Sequence, residues 1–360
     1  MSRLASFEND IDFPRLWRIG WAITAVMLVV SVGALVGRGL NLGIDFEGGT
    51  SWEVEAPDVS VSDTRDALGD TGAAGAKIQI VGGDTLRVQS EPSDDAARDA
   101  VTTTLAELAG VEASAVSVST VGPTWGDEIS SKAQRALVFF FIIVAAYIAI
   151  RLEWKMAIGA LAAVVHDLVI TVGVYALFQF EVTPATVIAI LTILGYSLYD
   201  TIVVYDKVKG NADNPAVAQK MPYTDLMSLS LNQVLMRSLN TSITSLLPVL
   251  AMLIVGSMLL GAVTLQEFAV ALTVGLLLGA YSSIFVATPL VAIFKEREPH
   301  YRSLRSRLET QEQRRSGAGS DSDGGETVNA GASRKRATAE APELSGRVIP
   351  PRPRKKGKRR

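Results

Sequence analysis

Three ionisable residues, His166, Asp167 and Asp200, sit inside runs long and apolar enough to cross a membrane. A fourth, Arg237, stands at the mouth of another such run. Asp200 lies within Ile190–Asn211, and an Asp near the middle of a spanning helix costs about 2.5–3.5 kcal/mol on insertion scales, less towards an end. Tyr196, Ser197 and Val204 lie four and three residues before it and four after, so helical spacing puts them on its face. A carboxylic acid beside hydroxyls within lipid is most simply read as lining a polar path. The plainer readings are an acid close enough to the interface to be solvated, or one neutralised in a structural pair.

His166 and Asp167 fall near the midpoint of a different apolar run. Ionisable neighbours there suit either a proton relay or a hydrogen-bond lock between helices. Being consecutive, they are not expected to face one target squarely. Arg237 belongs to Leu226–Ser242, a polar, amphipathic approach to a span, and is expected near the same membrane surface as the end of the Asp200 helix. Its guanidinium either stabilises the ionised acid, switching it between loaded and empty states, or is one more cation reaching for the interface.

Other chemistries are excluded by composition. There is no cysteine, and the two histidines, His166 and His300, are too few for a histidine metal cluster. No metal, cofactor or catalytic triad is expected, and the chain does not read as an enzyme. Gly48-Gly49 within Gly43–Thr50 resembles a phosphate loop only superficially, since it lacks the Gly-Lys-Ser/Thr ending and precedes a strand. A tight turn joining a soluble domain to its membrane stalk suits it better.

The elements that must position these residues follow from a chain of 360 residues that is 48% hydrophobic, too apolar for an ordinary soluble protein. Spans are predicted at residues 19–36, 136–150, 156–178, 182–205, 243–263 and 268–294. The first is preceded by residues 1–18, which carry Glu8, Asp10 and Asp12 and no small-x-small cleavage site, arguing against a cleaved signal peptide. Residues 41–130 read as a soluble domain in the order β-α-β-β-α-β, that of a ferredoxin-like split βαβ unit. Its first helix opens at Ser60 with Asp63 as a capping box and runs to Asp70; its second is capped by Ser93. The last strand is predicted over Ala113–Val121. Residues 206–242 form a long connection, and 295–360 a basic tail without a core, expected to be disordered. Ala271, Gly275, Gly279 and Ser282/Ser283 allow close helix packing in the last span.

Charge is segregated. Residues 41–130 hold 17 acids and 4 bases, whereas 295–360 hold 18 bases and 9 acids. With the amino terminus inside, 27 of the 34 Lys and Arg residues are cytosolic, so both ends are expected in the cytosol and the acidic domain outside. The basic tail suits anionic lipid or a ribosome, though a positive-inside anchor explains it more simply; no nucleic-acid partner is expected.

Several motifs together resemble the SecD/SecF family of bacterial protein-export membrane proteins, on its SecF side. Gly43–Thr50, with Asp45, Gly48 and Gly49, is similar to the family's Gly-x-Asp-Phe-x-Gly-Gly-Thr, and Gly122–Gly126 to its Gly-Pro-x-x-Gly. His166-Asp167 is similar to its third-helix His-Asp. Leu191–Asp206 is similar to its Gly-Tyr-Ser-x-Asn-Asp-Thr…Asp-Arg, with Gly195, Tyr196, Ser197, Asp200, Thr201 and Asp206 in place. Arg237–Ser242 and Gly279–Ser283 match the signatures of the last two helices, and the likeness covers residues 17–295. Tyr199 stands where the family has Asn, and Lys207, Lys209 and Gly210 replace Arg, Arg and Glu.

The resemblance implies six helices arranged one plus five, as in RND-type transporters, in the bacterial cytoplasmic membrane. It implies that Asp200 and Arg237, with Asp167 and His166, couple a proton gradient to late steps of preprotein export. Implied partners are SecD, the SecY-SecE-SecG translocon, the exported preprotein and membrane lipid, with a YajC-like protein or YidC as further candidates. The alternative is a structural subunit that holds SecD and the translocon together without carrying protons. A small-molecule exporter would need more extramembrane sequence than residues 41–130 supply.

Overall fold

The computed structural model describes residues 11–320, apart from 70, 72, 74, 92, 93 and 260–262. The chain begins with α1 (Phe13–Arg38), whose start is set by Asp12, accepting from the Arg15 N–H at 3.3 Å, and by Pro14 in the first turn. A short strand β1 (Asn41–Leu42) and one turn of helix α2 (Ile44–Glu47) lead into a four-stranded sheet. Its strands are β2 (Gly49–Glu55), β3 (Lys77–Val81), β4 (Thr85–Ser90) and β5 (Ser117–Val121), and its helices α3 (Val61–Ala67) and α4 (Asp95–Ala109). The strand order is β3-β4-β2-β5 and every pairing is antiparallel.

Local chemistry explains these elements. The Ser60–Asp63 capping box opens α3, which ends at Ala67 rather than at Asp70. The cap of α4 is Asp94, accepting from Ala97 N–H at 2.8 Å; Ser93, expected in that role, lies outside the described residues. The last strand is shorter than expected because Ala113–Ala115 closes into a 3₁₀ turn before Ser117. Alternation splits the sheet into two faces. Trp52, Val54, Leu86 and Val88 pack with Leu68, Val101 and Leu105 into an apolar core, while Ser51, Glu53, Arg87 and Gln89 point the other way. Gly48 and Gly49 turn the chain into β2 with φ of 78° and 124°, and a Cβ on Gly49 would come within 2.4 Å of the Ser90 carbonyl oxygen.

The helical part comprises α5 (Pro123–Arg151), α6 (Trp154–Phe178), a strand β6 (Glu181–Val182) paired in parallel with β1, α7 (Pro184–Ala212), α8 (Pro215–Ala218) and α9 (Tyr223–Ala251). It continues through a π-helical stretch at Met252–Leu259, then α10 (Val263–Ser282), a π-turn at Ser283–Ala287, α11 (Thr288–Glu296) and α12 (Pro299–Ser320). Six helical segments among the described residues are long and apolar enough to cross a membrane. Gly275 lies against Ile193, where a Cβ would approach within 2.3 Å, and Gly279 against Ser197 at 3.1 Å, so the small residues of α10 let it settle on α7.

Helices outrun the apolar windows that announced them. α5 starts at Pro123, not at 136, and α9 at Tyr223, not at 243. Most of the expected connection 206–242 is therefore helix, because polar side chains there find partners: Asn211 donates to Ser230 Oγ at 2.8 Å and Asn232 to the Ile11 carbonyl at 3.0 Å. The expected disorder of 295–360 is likewise corrected for Pro299–Ser320, which is helical. Arg305 pairs with both Glu296 and Glu309 at 3.0 Å there. Residues 1–10 and 321–360, also read from sequence, lie outside the described residues.

Candidate functional site

α7 opens with a Thr183–Thr186 capping box and Pro184, which set where the helix starts and so where Asp200 falls along it. Ser197, Asp200, Thr201 and Val204 are all buried on it. Two acids meet this helix on different sides. Asp167, on α6, has no exposed surface, and its Oδ2 accepts from Ser197 Oγ at 2.5 Å and from Ser282 Oγ at 2.7 Å. Its Oδ1 lies 3.0 Å from His166 Nδ1. Consecutive His166 and Asp167 thus reach each other, while the serines of α7 and α10 meet Asp167 alone. The other imidazole nitrogen, Nε2, is buried without a partner among the described residues, and the ring stacks on Tyr281 with centroids 6.2 Å apart.

The π-turn that follows Ser282 adds a residue to the helical repeat. It lets both Ser282 and Ser283 face inward: Ser282 serves Asp167, while Ser283 Oγ lies 2.9 Å from Thr201 Oγ1. Hydroxyls from α7 and α10 thereby line the crossing of the two helices.

Asp200 is differently placed. It is 9% exposed, and its hydrogen-bond partner is Ser238 Oγ on α9, at 2.5 Å. Beside it opens a small cavity of about 30 Å³, room for about one water. Tyr196, Tyr199, Thr241, Ser242 and Ser245 are among the residues around it, with Leu276, Gly279 and Ala280. Tyr196 and Tyr199 are about half exposed, at 49% and 52%.

Several sequence expectations change here. Ser197 and Asp200 share the buried side of α7 but serve opposite neighbours, and Tyr196 faces outward. Arg237 is exposed and makes no direct ion pair with Asp200, although its charge still acts on that carboxyl; the hydrogen bond comes from the next residue, Ser238. One residue turns a helix by roughly 100°, so the guanidinium and the serine cannot both point at α7. Gly195 has open space around it, and Asp206 is exposed. Asp45, Gly48 and Gly49 belong to the stalk of the sheet domain rather than to this site. Burial, then the charge of Glu181, hold the Asp45 carboxyl above the usual range.

A second polar cluster went unnoticed in the sequence. Arg87 on β4 pairs with Glu53 at 2.8 Å, with Glu267 at the start of α10 at 2.7 Å, and with Glu181 of β6. Gln89 also donates to Glu181, at 2.6 Å. Arg87 is one of four bases in an acidic domain, and nothing local distinguishes it. Among the described residues there is no group of three side chains suited to holding a metal ion.

Residues 100–297 match the family described as "Protein export membrane protein SecD/SecF, C-terminal", and residues 33–56 the "SecD/SecF GG Motif". The chain is similar to the protein translocase subunit SecF of Streptomyces coelicolor, 40% identical over 308 residues, covering 85% of this chain and 83% of the relative. It is 39% identical to the SecF subunit of Mycobacterium tuberculosis over 344 residues, covering 91% of this chain and 77% of that one. The crystal structure of SecDF from Thermus thermophilus is similar at a TM-score of 0.73 and 34% identity, over 81% of this chain. The match covers only 39% of that longer protein.

Proposed function

Because the chain belongs to the SecD/SecF family of protein-export membrane proteins, as a SecF member serving protein export, we propose that Asp200 is the group through which it uses the proton motive force. The observation that carries this reading is the contrast in its surroundings: a nearly buried carboxyl held by a single serine, next to a small opening with room for about one water. An acid in such a place exchanges a proton without dismantling the helix bundle. Arg237, one residue from Ser238, comes to the acid and stabilises its ionised form when α9 rotates and withdraws the serine. One elementary charge crossing 100 mV supplies about 2.3 kcal/mol, enough to bias a helix rearrangement and too little to drag a long chain in one step. Repeated cycles are therefore required.

The four-stranded domain is read as a ferredoxin-like unit outside the cytoplasmic membrane, with both chain ends in the cytosol. The sheet order supports that fold, and the segregation of Lys and Arg supports that orientation. Six spans make half of an RND-type transporter, and SecD supplies the other half in this reading. Half-exposed Tyr196 and Tyr199 beside an acid suit a protein neighbour better than lipid, which cannot satisfy them. The translocon and the exported preprotein complete the partners.

The structural reading is favoured for Asp167 and His166. Asp167 has its carboxylate oxygens engaged by three side chains, so it and His166 act as a lock between α6, α7 and α10. The deciding experiment is preprotein release into vesicles or spheroplast medium, with and without an uncoupler. Asp200→Asn is expected to assemble yet lose the uncoupler-sensitive component. An unchanged uncoupler-sensitive rate would transfer the role to Asp167.

A further inference from the structure

The apolar core of the sheet domain and those of the helix bundle are separate clusters. The sheet meets the helix ends through polar side chains instead: Arg87 to Glu181 and Glu267, and Gln89 to Glu181. All four are buried. Cavities of about 370 Å³ lie on either side of Arg87, one reaching Gln79 and Phe178, the other Asp45, Ser117 and Thr183. An interface that is ionic, flanked by open space and without a shared apolar core is of the separable kind.

From this we propose that Arg87 is a latch that holds the sheet domain down on the ends of α10 and the β6 turn, and that its release frees the domain to move. The guanidinium suits the task because its planar fork reaches several carboxylates at once, Glu53 within its own domain and Glu181 and Glu267 beyond it. Burial opposes the charge on Arg87, but Glu181 and Glu267 outweigh burial and keep it more firmly protonated than an ordinary arginine. Three carboxyl groups converge on one cation, so Arg87 does not match them one to one. Opening hydrates these groups and makes separation reversible. The chain remains tethered through α1 and α5, and the two-residue pairing of β1 with β6 forms the remaining hinge. Gly43 sits on this hinge, where a Cβ would come within 2.6 Å of Glu181 Oε1.

The test uses the full-length chain in lipid nanodiscs. With no native cysteine, spin labels can be placed at exposed Asp99→Cys on α4 and Ile188→Cys on α7, and their distance distribution measured by pulsed EPR. The parent is expected to show one narrow distance. Arg87→Met is expected to cut the population at that distance to less than about half, and Glu267→Gln to do so as well, while hydrogen exchange within β2–β4 stays protected. Glu53→Gln removes a contact internal to the sheet domain and is expected to leave the distance unchanged. Narrow distributions in both Arg87→Met and Glu267→Gln overturn the latch. So does broadening by Glu53→Gln equal to that by Glu267→Gln, which would mark the cluster as part of the sheet's own folding. If Arg87→Met does not fold, Glu267→Gln decides alone, because it lies outside the sheet domain.

Discussion

Asp167 and Asp200 are both aspartates buried among spanning helices, one on α6 and one on α7, yet their settings have little in common. Asp167 is fully enclosed and receives two serine hydroxyls, with His166 against its other oxygen. Asp200 has one serine and an adjoining opening. A carboxylate whose acceptor positions are filled by fixed donors resists change, since moving any partner leaves a buried polar atom unpaired. A carboxylate with one donor and room beside it can lose and regain a proton at small structural cost. The difference teaches that intramembrane acidity alone does not mark a proton carrier; the number and rigidity of its partners does.

The comparison is broken most severely by removing the charge of each acid. Asp200→Asn is expected to abolish the gradient-dependent part of export with thermal stability unchanged, and Asp200→Glu to keep some of it. Asp167→Ala is expected to act oppositely. It leaves the Ser197 hydroxyl without its acceptor and Ser282 with only a 3.3 Å bond to the Gly279 carbonyl, at about 1–3 kcal/mol for an unpaired buried group, so the midpoint of unfolding in detergent should fall clearly while residual export stays uncoupler-sensitive. Equal loss of stability in Asp200→Asn and Asp167→Ala would erase the distinction.

Next in size is the interface the two acids share. Gly275→Val drives a branched side chain into Ile193, where even a Cβ comes within 2.3 Å, and overpacking of this kind costs about 1–3 kcal/mol. The expected result is a lower unfolding midpoint and weaker export. A neutral outcome would show that α10 slides on α7 with ease.

Smaller effects sharpen the Asp200 half. Ser238→Ala removes the one hydroxyl that holds the acid, a loss of about 1 kcal/mol, and is expected to shift the pH dependence of export without affecting assembly. Arg237→Ala is expected to impair export more than Arg237→Lys, again with assembly intact. Normal export by Arg237→Ala, in a strain that depends on this protein, would leave Arg237 as an interfacial anchor.

Much of this architecture is written in local pattern. Apolar runs announced the six spanning helices, and the strand and helix pattern of residues 41–130 announced a sheet domain between the first two. Ser60 with Asp63 announced a helix start. These signals depend on residues close together in the chain, where periodicity and capping act. The same reasoning underestimated α5 and α9, because a helix continues through polar residues whenever they find partners, and those partners lie far away in sequence.

The functional details belong to the tertiary structure. The acids could be found in the sequence, since a charge inside an apolar run is visible without a fold. Their partners could not. Whether Arg237 or Ser238 meets Asp200 depends on the rotation of α9, and whether Ser282 and Ser283 both face inward depends on a π-turn. Arg87 is one base among four in its domain until β4, β6 and the start of α10 converge on it. Composition and periodicity determine which residues are buried, because burial follows from hydrophobicity averaged over a turn or a strand. Which buried polar atoms meet is decided by helix rotation and crossing, which only the packed molecule sets.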